Sequence, residues 1–481
     1  MACVLGSSLM GLDATLVPMA LPSIGRDLGV SFAVLQWTVT GYTLTLAALI
    51  LLGGALGDRY GRRRVFLLGI VVFGLSSLAC ALAPGPGWLV GARVVEGVGA
   101  ALVTPGSLAI LEVAFRSEDR AEAIGAWSGW AGASAALAPF LGGWLLHVAS
   151  WRWVFVVGPV AAVLVLVAAL AFVPESRDET ARGSIDLGGA VLVVAALAGL
   201  TTGGINAGAQ AFDQPAVWVP LLLGIGLLGV LTVFERRPDP LLPVTLFGNR
   251  QFSAANAVTL LVYAANGGTF FLVVLALQVV AGFSPLLAGS ALLPVSVVML
   301  LLAARAGRAA QRWGPRWFLA AGPVLAAGGV ALLTRLSPES GYLVDVLPAM
   351  VLLGVGLAVL VAPLTATVLA AAPPEKAGTA SGVNNAVART AGLLAVAVLP
   401  ALVGIGGSSY DDPTAFLAGF RPAMAICAAL LVAGGVLAAA VVRNPSLAHG
   451  HRVLPALCTA SPAHPTPAVS PSRSSAERSS R

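Results

Sequence analysis

Asp13, Arg93 and Glu96 stand in stretches so apolar that each charge needs a reason to be there. A carboxyl group beside a guanidinium, held away from water, can bind and release a proton. Arg93 and Glu96 are three residues apart and would share one face of a helix. Two readings fit them: a buried ion pair that fixes helix packing, or a site where Glu96 or Asp13 takes up a proton against the counter-charge of Arg93. A second cluster, "GGALGDRYGRRR" at residues 53–64, holds Asp58, Arg59, Arg62, Arg63 and Arg64. Asp58 and Arg62 are four apart with the acid first, the favourable order on a helix. Glu112, ending another apolar stretch, is placed to reach the same arginines, and glycines 53, 54, 57 and 61 allow close backbone approach. Farther on, Arg389 interrupts an apolar stretch just after Asn384 and Asn385, which either line a cavity with it or join helices by their amides.

The elements that position these residues must lie in lipid. The 481 residues are 58% hydrophobic and 10% charged, with a mean hydropathy of +0.92, far above a soluble domain. Apolar runs of spanning length predict fourteen transmembrane helices at 3–24, 36–57, 65–83, 88–112, 121–147, 152–173, 187–209, 216–234, 251–281, 286–306, 317–337, 343–371, 378–405 and 418–442. The alternating ten-residue pattern of a β-barrel is absent. The first run has no basic leader and no small-residue cleavage site, so it reads as a mature helix rather than a signal. A charge at mid-membrane costs at least about 2.5 kcal/mol, so Asp13, Arg93, Glu96 and Arg389 are expected to face a cavity.

Placing the N-terminus inside leaves 21 of the 27 basic residues in cytoplasmic loops and tail, four outside (Arg26, Arg152, Arg335, Arg421) and two within helices. Both termini are then cytoplasmic, and the net charge of +6 is explained without a nucleic-acid partner. Polar stretches at 174–186 and 235–250 divide the chain into a six-helix bundle (1–173), two inserted helices (187–209 and 216–234, within 174–250) and a second six-helix bundle (251–442). The division is supported by a repeat: "GALGDRYGRRR" aligns with "GRAAQRWGPRW" at 307–317, pairing Arg59 with Arg312, Gly61 with Gly314 and Arg63 with Arg316, while Gln311 replaces Asp58. Residues 443–481 have a disordered composition. Cys3, Cys80, Cys427 and Cys458 have no paired spacing, and His147, His449, His451 and His464 form no metal-binding pattern. Trp127, Trp130 and Trp144 either stack on a flat ligand or face lipid, and Trp151 and Trp153 around Arg152 suggest an interfacial belt.

"GGALGDRYGRRRV" resembles the loop signature between helices two and three of the major facilitator superfamily. "LDATLVPMALP" (12–22), "RVVEGVGAA" (93–101), "APFLGG" (138–143) and "GTASGVNNAVARTAG" (378–392) are similar to first-, fourth-, fifth- and thirteenth-helix patterns of its fourteen-helix drug:proton antiporters. Pro18, Glu96 and Ala138 stand where those patterns have Asn, Gln and Gly. The antiporter motif keeps Pro139, Gly142 and Gly143. The resemblance implies an all-α membrane protein that exports hydrophobic small molecules, cationic ones among them, by rocking two six-helix halves around a central cavity. It implies a proton path through Asp13 and Arg93, an inner-gate charge relay of Asp58, Arg62 and Glu112, and no cofactor beyond the proton motive force. The near-absence of Lys against 26 Arg points to a GC-rich bacterial genome. A monomer in a bacterial inner membrane, with lipid, protons and a small-molecule substrate as partners, is expected. An importer on the same scaffold is disfavoured by "APFLGG", an enzyme by the lack of a convergent catalytic constellation, and a sensor by the intramembrane acids.

Overall fold

Hydrocarbon offers a backbone no hydrogen-bond partner, so a spanning chain must satisfy its N–H and C=O groups within itself. The computed structural model does this with helices, and no strand occurs among the described residues. It describes residues 2–114, 130, 138, 140–177, 185–210, 212–237, 244–373, 376–407 and 412–444, apart from the side chains of 112–114 and 377. Thirteen helices among these are long and apolar enough to cross a membrane. They are α1 (Ala2–Leu28), α2 (Phe32–Tyr60), α3 (Arg62–Ala81), α4 (Pro86–Ala114), α6 (Arg152–Phe172), α7 (Leu187–Ala209), α8 (Pro215–Phe234), α9 (Arg250–Val279), α10 (Pro285–Trp313), α11 (Arg316–Leu332), α12 (Leu347–Ala370), α13 (Ala377–Leu402) and α14 (Pro413–Val441). The expected fifth span, 121–147, lies mostly outside the described residues; its far end, 140–148, is helical and is called α5. The expected tail also lies outside them.

Helix starts carry the caps their sequences offer. Asp186 accepts from the Gly189 N–H at 2.7 Å, Asn249 from Gln251 at 2.9 Å and Asp412 from Thr414 at 2.8 Å. Helix α10 overruns its expected end at residue 306 as far as Trp313, because "GRAAQRW" is made mostly of good helix formers that need no lipid.

Among the described residues, neighbours sort into one group of five helices and one of six. In the first, α4 packs on α1, α2 and α3, and α6 on α1 and α3. In the second, α12 packs on α10 and α11, and α14 on α9 and α11, with α13 also on α9. The groups meet where α2 lies along α13 and α1 touches α9, and α7, paired with α8, packs on both α2 and α13. The inner seams run over glycines: a Cβ on Gly69 would lie 2.9 Å from the Gly99 carbonyl, and one on Gly322 2.9 Å from the Gly356 carbonyl. The repeat read in the sequence is therefore also a repeat in packing, with α3 crossing α4 as α11 crosses α12. Gly61 and Gly314, paired by the alignment, both take positive φ (112° and 85°), the sharp turn from α2 to α3 and from α10 to α11.

The α2–α4 seam predicts a contrast between adjacent glycines. A methyl on Gly53 would collide with the Ala101 carbonyl, whereas one on Gly54 would lie 3.5 Å from the Pro105 ring. Gly53→Ala should cost about 1–3 kcal/mol, read as a lower melting temperature of the detergent-purified protein. Gly54→Ala should be neutral or slightly stabilising.

Candidate functional site

The tight α2–α4 crossing brings the sequence-predicted acids and base together. A Cβ at Gly97 would collide with Thr45 and the Tyr42 carbonyl, and Thr45 Oγ1 donates to the Val94 carbonyl at 2.8 Å. One turn before Gly97, Arg93 points into the bundle at 1% exposure. Its Nε donates to the Thr38 carbonyl of α2 at 3.0 Å. Its Nη1 donates to both oxygens of Asp13 on α1 at 3.0 Å and to Glu96 Oε2 at 2.7 Å. The guanidinium carbon sits 4.4 Å from the centre of the Tyr42 ring and 5.8 Å from that of Phe155.

Asp13 and Glu96 are themselves buried, at 8% and 0% exposure. Glu96 Oε2 also lies 3.6 Å from Cys80 Sγ, and Glu96 Oε1 has no hydrogen-bond partner among the described residues. A narrow cleft lined by Leu12, Leu16, Ser77 and Val154 reaches Asp13 from between α1, α3 and α6. With both acids ionised the cluster carries one net negative charge, and one bound proton makes it neutral. Such an arrangement can hold and surrender a proton.

Breaking the cluster from one side should be worse than removing it. Arg93→Gln leaves two facing acids in a dry interior and should cost about 3–5 kcal/mol. The triple change Asp13→Asn, Arg93→Gln, Glu96→Gln should melt at a higher temperature than Arg93→Gln alone. A triple variant no more stable than the single one would sink this account.

At the far end of α2, Asp58 and Arg62 meet as expected: Arg62 Nε and Nη2 both lie 2.8 Å from Asp58 Oδ1. Glu112 lies on α4 near this end of the bundle, but its side chain is outside the described residues. The acid that sequence reasoning missed is Glu175, just past α6. Its Oε1 accepts from the Arg63 backbone N–H at 3.1 Å, its Oε2 lies 3.5 Å from Arg64 Nε, and its carboxylate rests on Gly61. Arg63 Nη2 donates to the Leu170 carbonyl at 2.8 Å. The second half repeats this position for position. Asn444, just past α14, accepts from the Arg316 N–H at 3.0 Å, and Arg316 Nε donates to the Ala439 carbonyl at 2.9 Å. The signal was available in the repeat, since Arg63 and Arg316 are aligned in it and each acceptor follows the sixth helix of its half. Replacing Glu175 with Ala should cost about 1 kcal/mol, as for loss of a helix cap. Glu175→Gln, which keeps the acceptor oxygen and loses only the exposed ion pair, should cost less in the same melting assay.

The remaining candidates fall in several places. Of the antiporter motif, Gly142 packs on Leu16 and Met19 of α1, Gly143 packs against the backbone of Leu286 on α10, and Pro139 lies outside the described residues. Asn384 donates to Asn256 Oδ1 at 3.1 Å and Thr259 Oγ1 at 2.8 Å, joining α13 to α9. Asn385 is exposed and donates to Ser381 of its own helix at 3.1 Å. Trp130 and Trp144 are exposed and Trp127 lies outside the described residues. Trp151 is buried, its indole N–H donating to Asp27 at 2.8 Å, and Asp27 also pairs with Arg152 at 2.8 Å, while Trp153 is exposed.

The sequence profile of the Major Facilitator Superfamily matches residues 3–397. The puromycin resistance protein of Streptomyces alboniger is 37% identical over 400 residues, 81% of this chain and 78% of that one. The tetracenomycin C resistance and export protein of Streptomyces glaucescens is 35% identical over 84% of this chain and 75% of its own length. For the cephamycin export protein of Amycolatopsis lactamdurans the figures are 34%, 88% and 90%. Among solved structures, a bacterial homologue of the human lysosomal transporter Spinster, inward-facing and unoccupied, superposes with a TM-score of 0.66 at 17% identity, covering 92% of this chain and 95% of that one. Glycine-crossed helix seams, intramembrane charges and above all these likenesses place the chain in the Major Facilitator Superfamily.

Proposed function

We propose that the chain is a proton-coupled exporter of hydrophobic small molecules such as drugs or antibiotics, working as a monomer by alternating access in a bacterial inner membrane. Relatives named for antibiotic resistance and export support the cargo class. The observation that carries proton coupling is the Asp13–Arg93–Glu96 cluster, one proton short of neutrality and with Glu96 Oε1 unpartnered. That oxygen is the seat of the proton. Protons entering down the potential supply roughly 2.3 kcal/mol per charge per 100 mV, besides the pH gradient.

The moving parts are the bundles 1–173 and 251–442, with 174–250 as an inserted pair of helices and 443–481 as a cytoplasmic tail. With both termini cytoplasmic, the hydrogen bonds that join the halves lie toward the outer face. Gln36 Nε2 donates to the Val396 carbonyl at 2.8 Å, and Gln278 Nε2 to the Met19 carbonyl at 3.3 Å. They act as the closed outer gate of an inward-facing state, in which Asp58 is bound to Arg62 and available to a relay with Glu112 when the inner gate shuts.

Inverted membrane vesicles with an imposed pH gradient test this with a panel of fluorescent antibiotics. Asp13→Asn and Glu96→Gln should each drop uptake to the rate seen without a gradient, while the purified variants still bind the same compounds. Gradient-driven uptake equal to wild type in both variants would remove the coupling assignment.

A further inference from the structure

Arg389 is the thirteenth of the 26 residues of α13, at the middle of a spanning helix. A guanidinium keeps its charge there, and nothing in hydrocarbon replaces water on its five N–H groups. Arg93, the other mid-membrane arginine, is satisfied by Asp13, Glu96 and the Thr38 carbonyl. Arg389 has neither a hydrogen bond nor an ion pair among the described residues, and it is only partly buried.

Its surroundings place it on the seam between the halves. Along α9, Asn384 bonds Thr259 below it and Gly392 meets Gly267 above it, so Arg389 lies level with Tyr263. Along α2, which runs the opposite way, Gly382 meets Leu51 and the Val396 carbonyl binds Gln36, so Arg389 also lies level with Thr43 and Leu44. One turn beyond Tyr263, Asn266 is 9% exposed with its Oδ1 unpartnered. A cation, the Tyr263 ring and a free carbonyl oxygen thus lie at neighbouring levels of α13 and α9. The acids that would attract a cationic cargo are already bound to Arg93.

We propose that Arg389 is the recognition point for an anionic cargo, a flat apolar molecule carrying a carboxylate, phenolate or enolate. Such an oxyanion takes the guanidinium fork, a hydroxyl or amide N–H of the cargo takes Asn266 Oδ1, and the ring of Tyr263 lies along its body. The inference rests on the exporter reading and sharpens it, since an anion leaving the cell moves with an inside-negative potential.

Two probes of one shape and opposite charge, 2-naphthoate and 2-naphthylmethylammonium, test it by tryptophan quenching of the detergent-purified full chain. Wild type should bind naphthoate about tenfold or more tightly than the ammonium compound. Arg389→Gln should lose that preference with ammonium binding unchanged. Arg389→Lys, which keeps the charge without the fork, should retain part of it, and serves if the Gln variant does not fold. Equal affinities in wild type, tighter ammonium binding, no naphthoate binding, or naphthoate binding unaltered in Arg389→Gln would each overturn the proposal. Uptake into inverted vesicles separates the two readings. Naphthoate bound through Arg389 but not moved faster under a pH gradient defeats the exporter reading and leaves the anion site; gradient-driven naphthoate uptake undiminished in Arg389→Gln does the reverse.

Discussion

A charge carried into hydrocarbon is costly unless something replaces the water it leaves, and Arg93 is the case on which the packing of α1, α2 and α4 depends. Its fork is filled by a carbonyl of α2, a carboxylate of α1 and a carboxylate of its own helix. Those distances exist only because α2 and α4 approach over Gly53 and Gly97, where a single methyl group would meet backbone. In lipid no hydrophobic force presses helices together, so small residues and polar bonds set their spacing. Glycine contact and ion cluster therefore form one device: the first permits the approach, and the second makes any other spacing expensive.

The duplicated turn works on the same principle at the membrane surface. Gly61 and Gly314 reverse the chain, and the first amides of the following helix need acceptors that the helix itself cannot supply. Each half supplies one from the segment just past its sixth helix, and each anchors that segment with an arginine on a carbonyl five residues earlier. The halves differ in charge. The first has Asp58 and Glu175 where the second has Gln311 and Asn444. The two turns thus share their geometry and differ in charge, at two positions rather than at Asp58 alone.

Hydropathy made the helices legible because lipid imposes length and composition directly, and residue spacing placed Arg93 beside Glu96 and Asp58 beside Arg62. Asp13 could be marked as an anomaly but not joined to Arg93, eighty residues away, since nothing local encodes which faces of α1 and α4 meet. Glu175 was missed for the same reason: it reads as one acid in a polar linker until the turn it caps is seen. Asn384 stood between cavity and interhelical bond in the sequence. Its geometry shows the bond, to Asn256 and Thr259, and leaves Arg389 as the residue of that segment without a partner.

The position where the sequence departs most tellingly from its family pattern also decides what the buried cluster can do. An Asp–Arg pair alone is electrically balanced, and a proton added to it strands a guanidinium in a dry interior. A neutral Gln in place of Glu96 would leave that balance intact. With Glu96 present the ionised cluster has one acid too many, so its neutral form is the one that includes a proton. Burial, which penalises net charge, then favours loading, and an opening toward water favours release. For the proton-coupled exporter proposed above, that extra acid is what would give the cluster a loaded and an unloaded form.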